Sequence, residues 1–228
     1  MHSFPEHRLI CFVTLIFAST GLSQTPAVSG AESGLRITVL TYDYANVPPE
    51  TLLEAEQEVA RIFQLEEIEI VWVERPRNRP ESEHAQASEQ VADGPNVISL
   101  RIVPRAMAQR YPVYRNPAAF GFAATSRKQE FAVYTTVFFH RAEEMAERKD
   151  VFSGKPYPSL AAILGHVMAH EIGHVLGCGH SSMGLMRGGW SKRELTQMSQ
   201  REFLFTRQQG ERLRTQVRER IRLADVPQ

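Results

Sequence analysis

Cysteine is nearly missing from this chain. Two in 228 residues can close one disulfide at most, so a small scaffold stapled by cross-links is excluded. Net charge is missing too: 26 basic residues balance 26 acidic ones, which argues against a nucleic-acid binder built on bulk positive charge. The apolar run at the amino terminus, Leu9 to Ala18, is about ten residues and too short to span a bilayer. A shortage of apolar residues is not among these absences. With 43% hydrophobic and 23% charged residues the composition is that of an ordinary globular protein, long enough for one sizeable core. The count to follow is histidine, of which there are 8.

The opening MHSFPEHRLICFVTLIFASTGLS has a weakly positive start, a short apolar run and then small residues at Ser19, Gly21 and Ser23. That layout predicts a secretory signal peptide over residues 1–23, with the mature chain secreted or periplasmic. Cleavage removes Glu6 and Arg8 together and leaves the charge balance at zero. It also removes Cys11, so Cys178 is the single thiol of the mature chain and no internal disulfide forms. Residues 24–34 read as a short polar segment, and the folded domain is expected over residues 35–228.

Along that domain, LRITVLTYDY alternates like a strand, and PPETLLEAEQEVARIFQL places its apolar residues on one helical face behind two prolines. IEIVWVE (Ile68 to Glu74) and VISLRIVP (Val97 to Pro104) read as strands, separated by a long surface loop over residues 75–96. Glu130 to Phe139 is a further strand, running into a helix-like RAEEMAERKD. SLAAILGHVMAHEIGHVLG is an apolar helix ending at Gly177. Thr206 and Gln209 form a capping-box pattern that starts a last helix rich in arginine, whose charged side reads as a solvated face. These elements predict a single α+β domain.

Four histidines crowd into fifteen residues: His166, His170, His174 and His180. At 3.6 residues per turn, His170 and His174 share a helical face one turn apart and can grip one ion between them. Glu171 lies about 100° round the helix, close to that ion without having to coordinate it. Gly177 can adopt the left-handed conformation that reverses the chain and returns His180 as a third ligand. A random order of these residues contains HExxH in about 3% of cases, so the short motif alone decides little. Glycine and histidine at the next two fixed offsets bring the chance to about one in twenty thousand, and that extended match carries weight.

The residue types fit catalytic zinc. Three imidazoles leave one tetrahedral position for water, and the full metal charge acidifies that water and polarises a carbonyl. Glu171 is the natural base to take its proton. A closed structural site would need a fourth protein ligand, for which Cys178 is the candidate, although its place in the bend allows it to point away. His166 shares the face of His170 and reads as a packed or exposed helix residue; His84 and His140 have no metal-spaced partner and read as surface.

HEIGHVLGCGH, His170 to His180, resembles the extended zinc signature HExxHxxGxxH of the metzincin metallopeptidases. That resemblance implies a zincin-like fold, a twisted mixed sheet with an active-site helix and a carboxyl-terminal helix. It implies Zn2+ held by His170, His174 and His180, with Glu171 as general base and Gly177 as the turn. It also implies a methionine turn beneath the metal, for which HSSMGLMRGGW offers Met183 and Met186, the GLM tripeptide favouring Met186. GHVMAHEIGH, GLMRGGW and FLFTRQQGERLR further resemble small secreted bacterial proteins assigned as zinc peptidases. Two departures stand out: Gly188 occupies the place of the tyrosine used by astacin-like members, and only about eleven residues separate the signal from Leu35, which leaves no long propeptide or cysteine-switch segment.

In such proteins an edge strand above the active-site helix pairs with extended substrate, and Glu130 to Phe139 is either that strand or a plain core strand. The specificity pocket lies beyond the methionine turn, in residues such as Arg187 to Trp190. The expectation is a secreted zinc endopeptidase acting on peptide or protein substrates, with no nucleic-acid partner and no stable membrane insertion. The alternatives are a non-catalytic zinc-containing binding protein, a zinc hydrolase of a non-peptide amide, or a site in which Glu194 or Glu202 replaces His180.

Overall fold

The computed structural model describes residues 34–74, 94–125, 132–147 and 157–224. The signal-peptide expectation, Cys11, His84 and most of the 75–96 loop therefore lie outside the described residues.

Strand β1 (Leu35–Asp43) and β2 (Ile68–Glu74) are joined by helix α1 (Pro49–Gln64). Pro49 opens that helix, where its missing N–H would have had no partner anyway. Leu52, Ala55, Val59, Ile62 and Phe63 face inward as the apolar spacing predicts. Because a parallel pair needs a crossover, the helix lies over the sheet and β1 and β2 align in parallel, Leu35 opposite Ile68. Strand β3 (Val97–Val103) pairs with the other side of β1, also in parallel. A short helix α2 (Arg105–Ala108) and a 3-10 turn (Pro112–Arg115) lead to β4 (Gly121–Thr125), then β5 (Ala132–Phe138) and α3 (Phe139–Glu147).

The five strands run in the order β2-β1-β3-β5-β4, with β4 antiparallel to its neighbour and at the edge. Of the Glu130 to Phe139 segment, Ala132–Phe138 is thus an inner strand, paired with β3 on one side and β4 on the other. The edge belongs to GFAAT, whose glycine and alanines carry little strand propensity. Its place comes from pairing with β5.

Helix α4 (Leu160–Val175) carries HExxH and is buried nearly all round, between the sheet and helices α1, α3 and α5 (Lys192–Ser199). Its sequence is apolar on every side for that reason. Ser159 caps its start, accepting from the N–H of Ala162 at 3.1 Å. Its end is a full left-handed stop. Gly177 has φ +79°, its N–H donates to the His174 carbonyl, and that of Cys178 donates to the Gly173 carbonyl.

Helix α6 (Arg207–Ala224) closes the chain. The expected capping box is present, with reciprocal bonds between Thr206 and Gln209. One arginine departs from the solvated face. Arg220 is fully buried and donates to the carbonyls of Pro95 at 2.7 Å and Val175 at 2.8 Å, so a cation satisfies the carboxyl end of α4. Burial pulls its guanidinium down to about 10. Among the described residues no helix is long and apolar enough to cross a membrane.

Candidate metal centre

Helix α4 presents His170 and His174 one turn apart, and the stop at Gly177 turns the chain back so that His180 joins them. One ring nitrogen from each of the three lies within 4.8 Å of the others. His170 is buried, His174 half-buried and His180 exposed, so the group opens to solvent on one side.

The protons of the first two rings are fixed by their surroundings. Nδ1 of His170 donates to the Leu185 carbonyl and Nδ1 of His174 to the Cys178 carbonyl, each at 2.7 Å. A carbonyl only accepts, so in the neutral ring both Nε2 atoms carry lone pairs. Those two Nε2 atoms face each other at 3.1 Å. Burial pushes the pKa of His170 down to about 3 and lowers that of His174, so a proton is a poor bridge between them. Two facing lone pairs that shun a proton are a donor set for a soft-to-borderline cation, and zinc fits it.

Glu171 follows His170 but turns toward the sheet. It is buried, its Oε2 has no hydrogen-bond partner, and desolvation raises its pKa to about 8. Gly121, the first residue of β4, leaves it room: a Cβ there would lie 3.0 Å from the Glu171 carboxyl carbon and also meet the Thr136 carbonyl.

Met186 is fully buried beneath α4, while Met183 is 69% exposed. A Cβ on Gly173 would come within 2.7 Å of the Met186 sulfur, so the methionine packs directly against the helix between the two ligand positions. The loop around it is tied down at three points. The N–H of Ser181 donates to the Met186 carbonyl and that of Leu185 to the Leu204 carbonyl. Gln209, beyond its capping bond, donates from Nε2 to Ser181 Oγ at 2.8 Å and to the Met183 carbonyl at 3.0 Å.

Cys178 does not join the histidines. Its buried thiol points to the Gln209 carbonyl at 3.8 Å, and burial raises it to about 11. Only its backbone serves the site, through His174. Glu194 is not a ligand either. Its two oxygens are taken by Ser191 and by Arg187, and these partners outweigh the desolvation that would raise its pKa, so it is lowered. Among the described residues, only the three histidines form a metal-capable group, which leaves out Glu202.

His166 is packed: it is fully buried, bonded through Nδ1 to the Ala162 carbonyl and stacked on Phe203. His140, expected at the surface, is buried instead, because Tyr114 from the turn before β4 and Phe138 close over its ring.

The histidines open into a cleft of about 440 Å³, walled by β4 on one side and by Arg187 to Trp190 on the other. Trp190 stacks on Phe120 at 5.4 Å and meets the His170 ring edge-on at 5.8 Å. The Phe120 carbonyl accepts from the N–H of Phe138 in β5. Backbone groups alternate sides along a strand, so those of Gly121 and Ala123 face away from β5, where no strand is paired among the described residues. Sequence reading did not find Phe120 or Gly121, which precede and begin a strand with no periodic signal.

These observations define a mixed α/β protein with a five-stranded sheet and a three-histidine group able to hold a metal ion. No family model matches the chain. No curated protein matches it either. Among solved structures, archaemetzincin from Methanopyrus kandleri is similar over 82% of this chain and 99% of its own, with 13% identity and a TM-score of 0.46. At that identity and score the likeness adds nothing to what the site's own geometry supports.

Proposed function

We propose that this chain is a zinc-dependent peptidase of zincin-like fold, exported by a signal peptide over residues 1–23 and catalytic over residues 35–228. The observation that carries the reading is the pair of proton-averse Nε2 lone pairs of His170 and His174 meeting at 3.1 Å, with His180 beside them and a buried carboxyl one residue away. Zinc held by those three rings supplies Lewis acidity toward water and toward the scissile carbonyl.

The chain's own residues supply the rest. Glu171 takes a proton from the attacking water as the new C–O bond forms, and delivers it to the amine nitrogen as the C–N bond breaks. Its surroundings leave an oxygen for that exchange, since Oε2 is buried without a hydrogen-bond partner. The open edge of β4 offers the backbone groups of Gly121 and Ala123 to an extended peptide, which joins as a further strand. The stacked Phe120 and Trp190 give the cleft an apolar wall beside His170.

The test is to purify the chain, measure its zinc by mass spectrometry and expose a mixed peptide library to wild type and Glu171→Gln. The reading predicts zinc in both proteins and cleavage by wild type alone. Full zinc with no cleavage by either overturns it in favour of a non-catalytic zinc protein.

A further inference from the structure

Among the described residues lining the cleft, the ionisable side chains are the three candidate ligands, Glu171 and Arg187. Arg187 is thus the one permanent cation among the described residues that line it. Two glycines follow it, so no side chain at 188 or 189 covers the approach.

Its position is built. The N–H of Arg187 donates to the Gly184 carbonyl, closing the turn that carries Met186. Its guanidinium donates through one terminal nitrogen to Glu194 at 3.0 Å. Glu194 is itself fixed, its side chain 3% exposed and its other oxygen accepting from the Ser191 N–H at 2.8 Å and hydroxyl at 2.5 Å. The capping box of α5 therefore serves as the anchor of a cation at the cleft. Glu194 engages one nitrogen of a group with five N–H donors, and the Arg187 side chain is 42% exposed. The donors left over are charged and partly exposed.

We propose that Arg187 is a specificity-determining residue that selects peptides bearing a carboxylate near the scissile bond, whether an acidic side chain or the free carboxyl terminus. The inference rests on the peptidase reading and names its substrate class. A planar guanidinium already held on one side recognises a carboxylate with two parallel hydrogen bonds at little ordering cost. Because the group is partly exposed, the preference weakens as salt rises.

The test uses neutral octapeptide amides, each re-made with a single glutamate scanned along it, the matching glutamine peptides, and one free-acid form. Affinities are read by calorimetry on zinc-loaded Glu171→Gln protein, and cleavage on wild type. At one position or at the free carboxylate, the acidic peptide is expected to bind about tenfold more tightly than its neutral twin. That margin disappears in Glu171→Gln/Arg187→Gln, while affinity for the neutral peptide holds within about twofold. In the wild-type background, Arg187→Glu transfers the preference to a lysine peptide. An equal loss for acidic and neutral peptides would show that Arg187 only braces the loop, and equal affinity of the twins for the parent protein would also overturn the proposal. Selective binding without cleavage by wild type leaves the carboxylate site standing and removes the peptidase reading, so the two failures are distinguishable.

Discussion

The Nδ1–H of His170 donates to the carbonyl of Leu185 at 2.7 Å, and the next residue is Met186. The methionine loop therefore does two things at once: it orients a ligand through its backbone, and it fills the space beneath α4 with a thioether. Removing the side chain at 186 tests both. Met186→Ala leaves a cavity under the helix and should cost about 2–4 kcal/mol, with a measurable fall in zinc affinity. Met186→Leu conserves volume and should cost less than about 1.5 kcal/mol. Denaturant melts with and without zinc check this; equal behaviour of the two variants would contradict it.

Cys178 should prove dispensable for the metal. Its thiol faces Gln209, is buried and is raised to about 11. Cys178→Ala should retain full zinc, and the folded wild type should react with a thiol reagent far more slowly than the unfolded chain. Zinc loss in the variant would mean that sulfur is a ligand.

Gly188 touches the third ligand. A Cβ there would sit 3.2 Å from His180 Nδ1, closer than most carbon contacts. Gly188→Ala should shift that ring and weaken zinc about tenfold or more, with little change in the melting of the metal-free protein. An unchanged zinc affinity would remove Gly188 from the account. A side chain larger than alanine at 188 would crowd the same ring.

Glu56 by itself should take stability away as pH rises between about 4.5 and 7. This carboxyl is buried on α1, where it accepts from Thr41 Oγ1 at 3.2 Å. Desolvation raises its pKa from 4.5 to about 7, against the opposing bond from Thr41. Within that window the folded chain keeps a proton that the unfolded chain releases, so rising pH favours unfolding. Glu56→Gln removes the penalty. With screening allowed for, it should gain roughly 1–2 kcal/mol near pH 8, or several degrees in Tm, and nothing near pH 4.5. A gain that is the same at both pH values would contradict the assignment.

Much of this was legible beforehand, because local periodicity and the ligand spacing both follow from helix geometry. Strand Ile68–Glu74, the helix behind Pro48, and the stop at Gly177 occur where their patterns place them. What escaped is tertiary. Strand β4 has small residues and exists because β5 pairs with it, so no local pattern marks it as the edge, and the choice between edge and core for Glu130 to Phe139 stays open until the pairing is seen. His140 is covered by Tyr114, twenty-six positions earlier, and isolated histidines carry no pattern that reveals such a lid. Arg220 looked like one more solvated arginine until the Val175 and Pro95 carbonyls met it. The Ser191–Glu194 spacing was a readable capping box, but nothing in the chain order linked it to Arg187 and the cleft.

The central claim is that three histidines, and no sulfur, hold zinc in an open site. X-ray absorption at the zinc edge of the purified protein reads that ligand set directly. The account predicts three imidazole nitrogens and one oxygen, all at about 2.0–2.1 Å. A sulfur shell near about 2.3 Å, or only two imidazoles, would contradict it.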